Sequence, residues 1–131
     1  MTDSGCELFA AAILNRAVLD YETAALEIAE MRIDMDKYVQ KVIDRRKRAG
    51  KWKTYEKAGV TLRLYTQEEA EQLCKIQYEK CMNDLQKIER FIRNGWLMNL
   101  LEIDRDYVME RTKKIAKESV KRKFGTVCDF L

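Results

Sequence analysis

The residues best suited to chemistry lie in one short stretch. Arg45, Arg46, Lys47, Arg48, Lys51 and Lys53 place six cations in nine residues with no acid among them. Trp52 and Tyr55 are interleaved with these cations, and Lys57 and Arg63 follow. Guanidinium forks and ammonium groups neutralise phosphates and release their counterions. Aromatic rings stack on unpaired bases. The chemistry on offer is therefore recognition of a polyanion rather than the making or breaking of bonds. The same run also reads more simply, because cations at a helix C-terminus are favoured by the macrodipole and solvated at little cost. A solvated or protein-facing patch thus stands beside the nucleic-acid reading.

Catalytic groups are scarce. The chain has no histidine, which removes the commonest general base near neutral pH and the usual partner of a Ser or Cys nucleophile. Cys74 and Cys81 are seven residues apart, about 10 Å along a helix, too far for a disulfide and wrongly spaced for a zinc knuckle. They read as small apolar core residues. Cys6 and Cys128 have no neighbouring feature that would activate a thiol. Asp34 with Asp36 and Asp104 with Asp106 offer oxygen ligands for a divalent cation, but each pair is explained more simply as capping a helix. No glycine-rich phosphate loop is present. The expectation is a protein that is not an enzyme and has no cofactor, metal or small-molecule substrate.

The elements that position the basic stretch follow from periodicity. Ser4 and Glu7 have the spacing of a capping box, so a helix is expected from about residue 5. Leu14, Val18, Tyr21, Ala25, Ile28, Met35, Val39 and Val42 recur at intervals of four and three or their sum, interrupted only by Arg32. They predict one helix to about residue 49, or two in phase with a joint at Ile33–Asp34. Val60, Leu62 and Leu64 then alternate with Thr61, Arg63 and Tyr65, which predicts a small basic β-hairpin over about 51–65 turning at Ala58–Gly59. Thr66 and Glu69 form a second capping box. After it, Cys74, Tyr78, Cys81, Leu85, Ile88 and Ile92 give an unbroken heptad seam for a helix over about 67–94. Asn94–Gly95 stops it. Trp96–Ile103 reads as a turn or two of helix plugging the core. Asp104 caps a last helix over about 104–124, carrying Tyr107, Val108, Ile115, Ala116, Val120 and Phe124. That helix also holds Arg111, Lys113, Lys114, Lys117, Lys121, Arg122 and Lys123, diluted by Glu110 and Glu118.

The predicted fold is mainly α, a long antiparallel helical hairpin or bundle in a single domain of 131 residues. It divides into an acidic helical arm (1–44), a basic hairpin (45–65), a helical body (66–124) and a tail (125–131). The arm has nine acids against four bases, and the remainder thirteen acids against twenty-one bases. Such asymmetry attracts an acidic partner or pairs two ends of one molecule. No apolar run is long enough to span a bilayer, the apolar stretch Leu8–Leu14 lacks a basic lead, and the cysteines are few and scattered. A cytoplasmic location without signal peptide or membrane contact is expected. Two functions fit. One is a regulatory protein contacting nucleic acid through residues 45–63. The other is a protein-binding module or inhibitor that docks on a larger effector, in the manner of phage or mobile-element proteins that block a nucleic-acid enzyme. Either could form a homodimer through a heptad seam.

Overall fold

The structure, a computed structural model, describes residues 3–49, 59 and 63–131. It contains α1 (Asp3–Ile33), α2 (Met35–Ala49), α3 (Gln67–Asn94), α4 (Leu97–Leu101) and α5 (Arg105–Phe124). The mainly helical expectation therefore holds, and no strand occurs among the described residues. Most of the hairpin expected over 51–65 lies outside the described residues. Its described end, Arg63–Tyr65, is irregular chain rather than strand, so the hairpin is not supported. The Arg63 carbonyl accepts from the Arg46 side chain, and Thr66 already begins the turn into α3. The Ser4 side chain, expected to cap α1, also lies outside the described residues.

The expected joint at Ile33–Asp34 is present as a break of one residue. Asp34 alone is non-helical, and its carboxylate Oδ1 accepts from the Lys37 N–H at 3.0 Å. This is N-capping of α2 by a short acidic side chain. Backbone bonds from Asp34 to Glu30 and from Tyr38 to Asp34, both 3.2 Å, continue the helical pattern across the break.

Two compact units divide the chain, one made of Met1–Ala29 with Lys80–Leu131 and the other of Glu30–Glu79. The division falls within α1 and within α3. In the first unit, α1 and α3 run antiparallel: Tyr21 donates to Glu89, and the Cys81 thiol donates to Glu27. Lys113 lies 3.9 Å from Glu89, and Asp106 lies 4.0 Å from Arg93, so α5 runs antiparallel to α3. Glu89 thus reaches a partner on both neighbouring helices. Tyr21, Ile28, Ile92, Leu97, Met98, Met109 and Val120 are fully buried between these elements. Thr112 and Ser119, the buried polar residues of α5, bond to the Val108 carbonyl and to Glu22. The tail belongs to this core as well. Cys128 is buried with Ala29 and Val120, and Phe130 and Leu131 pack against them.

The corner between α3 and α5 is built from Gly95 and Arg105. A Cβ at Gly95 would meet the Phe91 carbonyl oxygen at 2.2 Å, so only glycine lets the chain turn there. Arg105 donates to the carbonyls of Arg93 and Gly95 and to the Asn99 side chain. Asp104 caps α5 by accepting from the N–H groups of Asp106 and Tyr107. Leu97 and Met98 enter the core as expected for the plug, while Trp96 on the same short segment stays 60% exposed.

In the second unit, Met31, Tyr38, Val39 and Ile43 are buried with Ala70 and Cys74. Arg32, the residue that interrupts the apolar seam, is exposed and donates from Nε to the Tyr78 hydroxyl. Among the described residues, no helix is long and apolar enough to cross a membrane.

Glu89→Ala is expected to destabilise the protein by about 1–3 kcal/mol, because it leaves the buried Tyr21 hydroxyl without its acceptor. Glu89→Gln, which keeps an acceptor oxygen, should lose less than half as much. Urea unfolding of the two variants reads the difference, and equal losses would mean that the Tyr21 bond is not the source.

Candidate functional site

The last turn of α2 carries the basic run. α2 ends here as the sequence predicts, with Arg46, Lys47 and Arg48 in its final turn, where cations complement the partial negative charge of the helix end. The buried face of α2, Tyr38, Val39 and Ile43, fixes the rotation of the helix. Arg45, Lys47 and Arg48 are thereby turned to solvent, with Arg46 half-buried.

The cations divide by role. The Arg46 Nε donates to the Arg63 carbonyl at 2.9 Å, and its guanidinium lies 4.9 Å from the centre of the Tyr65 ring. That distance suits a cation–π contact. Arg63 makes a two-pronged bond to Glu69, at 2.7 and 2.6 Å. The Glu69 N–H donates to the Thr66 hydroxyl and the Thr66 backbone N–H bonds to the Glu69 carboxylate, so the capping box expected at Thr66 is formed, and the hydroxyl donates to that carboxylate as well. Arg46 and Arg63 therefore join the end of α2 to the start of α3. The side chains of Arg45, Lys47 and Arg48 take part in no ion pair or hydrogen bond among the described residues. Lys51, Trp52, Lys53, Tyr55 and Lys57, the rest of the expected contact, lie outside the described residues.

The charges of the Arg63–Glu69 pair hold each other ionised. Hydrogen bonding from Arg63 lowers the Glu69 carboxyl to about 2, and the same bond raises the Arg63 guanidinium above its usual value. Charge is therefore neutralised at Arg63 but left open on the last turn of α2. An open groove of about 410 Å3 runs along the first turns of α3, lined by Tyr65, Glu68, Glu69, Gln72, Leu73 and Ile76. Ile76 is 62% exposed there.

The other candidate groups have structural roles. Asp34 and Asp104 each cap a helix. No cluster of three or more His, Cys, Asp or Glu side chains able to hold a metal occurs among the described residues. Burial, with the nearby Glu27 carboxylate, pushes the Cys81 thiol up to about 12, and burial also raises Cys74 and Cys128. These three sulfurs stay protonated and behave as core atoms. Sequence reasoning missed Glu69 as the partner of Arg63, although a carboxylate six residues on and in the first turn of the next helix was the available signal. It also missed Arg105, whose three acceptors are carbonyl oxygens and so leave no charge pattern to read.

No protein-family model matches the chain, and searches of curated proteins and of solved structures find no match either.

Two outcomes test this geometry. Glu69 has a depressed pKa, so its contribution is present above the ordinary carboxylate range near pH 4.3 and is lost as pH falls towards 2. Arg63→Met should return the Glu69 titration, followed by NMR, to the ordinary range and bring acid fraying of the α3 N-terminus to higher pH. Separately, Cys74, Cys81 and Cys128 should resist a thiol reagent at about pH 8 in the folded protein and react fully once it is unfolded. Rapid labelling of Cys81 in the folded state would contradict the burial described.

Proposed function

We propose that the chain is a non-enzymatic, cytoplasmic regulatory binding protein that contacts nucleic acid through the basic end of α2. One observation carries this reading. Arg45, Lys47 and Arg48 are exposed and unengaged among the described residues, on a helix end held to α3 through Arg46 and Arg63. Cations on an anchored helix lose less freedom on meeting phosphate than cations on a loose chain. The sequence extends the same character through Lys51, Trp52, Lys53, Tyr55 and Lys57. Contact of this kind goes to the phosphate backbone and positions a protein without selecting a base sequence. The non-enzymatic part rests on the missing histidine and on three of the four thiols, Cys74, Cys81 and Cys128, being held in their unreactive form.

A second reading, a protein-binding module acting as an adaptor or inhibitor of a larger effector, draws on the groove of α3, where Leu73 and Ile76 leave apolar surface beside Glu68 and Gln72.

Binding to a labelled duplex between about 50 and 200 mM salt separates the two readings. Replacing Arg45, Lys47 and Arg48 together by alanine should reduce the slope of log affinity against log salt by about 2.7 and weaken binding to all sequences alike. Failure of the wild type to bind duplex or single strand at about 50 mM salt would remove the nucleic-acid reading and leave the protein-binding one.

A further inference from the structure

A second basic surface lies on α5, in the unit formed by Met1–Ala29 with Lys80–Leu131. Val108, Met109, Thr112, Ala116, Ser119 and Val120 are its buried face. At about 3.6 residues per turn, Arg111, Lys114, Lys117 and Lys121 fall on the opposite side, and all four are exposed. None of their side chains takes part in an ion pair or hydrogen bond among the described residues. Lys113, by contrast, turns inward to Glu89. Two acids, Glu110 and Glu118, share the outer face and are also exposed. They stand four residues either side of Lys114, yet neither forms an ion pair with it among the described residues. The face therefore keeps a net positive charge. Tyr107 heads the row one turn before Arg111 and is 63% exposed, which presents a ring for stacking.

We propose that this outer face of α5 is a phosphate-tracking surface for nucleic acid, carried by Arg111, Lys114, Lys117 and Lys121. The inference rests on the nucleic-acid reading above and adds a contact in the other unit of the chain. Charge complementarity selects the occupant. From Arg111 to Lys121 the row is about 15 Å long, and a duplex carries about one phosphate charge per 1.7 Å of its axis, so several phosphates fall within reach of four cations. A lipid surface fits less well, because a membrane-lying helix must insert an apolar face. The apolar face of α5 is already buried in the core.

The test uses the full chain and fluorescein-labelled duplex and single-stranded oligonucleotides of about 20 nucleotides, titrated by anisotropy from about 50 to 200 mM salt. The substitutions Lys114→Ala, Lys117→Ala and Lys121→Ala, made together, should lower the salt slope by about 2.7 on duplex and about 2 on single strand. Lys→Arg at the same three positions should keep the slope. Circular dichroism confirms that the exposed substitutions leave the helices intact. A triple alanine variant with wild-type slope and affinity overturns the α5 surface, and if the α2 variant still loses its share, the reading built on α2 stands. Loss of binding by the α5 variant alone upholds this surface and removes the α2 contact. A wild type that binds neither oligonucleotide, or that sediments only with phosphatidylserine vesicles, overturns both.

Discussion

A single carboxylate links the three long helices of the unit formed by Met1–Ala29 with Lys80–Leu131. Glu89 on α3 accepts from the Tyr21 hydroxyl of α1 and lies 3.9 Å from the Lys113 ammonium of α5. Tyr21 is wholly buried, so its hydroxyl has no water to fall back on. Its ionisation is suppressed by that burial and by the neighbouring negative charge. Glu22 with Ser119 and Glu27 with Cys81 repeat the device further along α1, on the C-terminal side of Tyr21. Apolar seams alone tolerate sliding by one heptad, whereas each of these polar contacts forms only at one level of the helices. They fix register while Ile28, Ile92 and Val120 supply the burial.

In the other unit, charge adds to the burial of Tyr38, Val39, Ile43, Ala70 and Cys74 in joining α2 to α3. Arg46 lies against the Tyr65 ring and on the Arg63 carbonyl, and Arg63 grips Glu69, which completes the Thr66 cap. Two of the cations that look alike in sequence thus become framework, and three remain open to solvent. A basic run is better understood as a framework with a surface than as a uniform patch.

Much of the helical architecture was legible. The seam from Cys74 to Ile92 has Cys74, Cys81, Leu85 and Ile92 buried and Tyr78 and Ile88 half-buried, because a strict four–three spacing fits only one face of a helix. The joint at Asp34 and the caps at Thr66 and Asp104 follow from side chains that bond their own backbone. The failures are equally physical. Alternation from Val60 to Tyr65 imitates a strand, but the end of that segment is claimed by Arg46 and the cap of α3. Tyr107, the first residue of the pattern expected for the last helix, is exposed. Met109, Thr112 and Ala116, spaced three and four apart, set the phase of α5 instead. Nor does any local pattern in the tail mark the burial of Cys128. Contacts between residues distant in sequence leave no local pattern to read. Of the candidate site, the α2 end was legible as a basic surface, but the division of its cations was not, because it depends on Glu69 and Tyr65 across a change of element.

The corner after α4 has a further property. Glu102 closes that helix at φ 55°, in the left-handed region that a side chain occupies at a cost of about 1–2 kcal/mol. Glycine would sit there without strain. The conformation is therefore imposed by the burial of Leu97 and Met98 on one side and the Asp104 cap on the other. The turn that carries the chain from α3 to α5 is thus set by tertiary packing against local preference, so its geometry is inherited from the core rather than encoded in Glu102 itself.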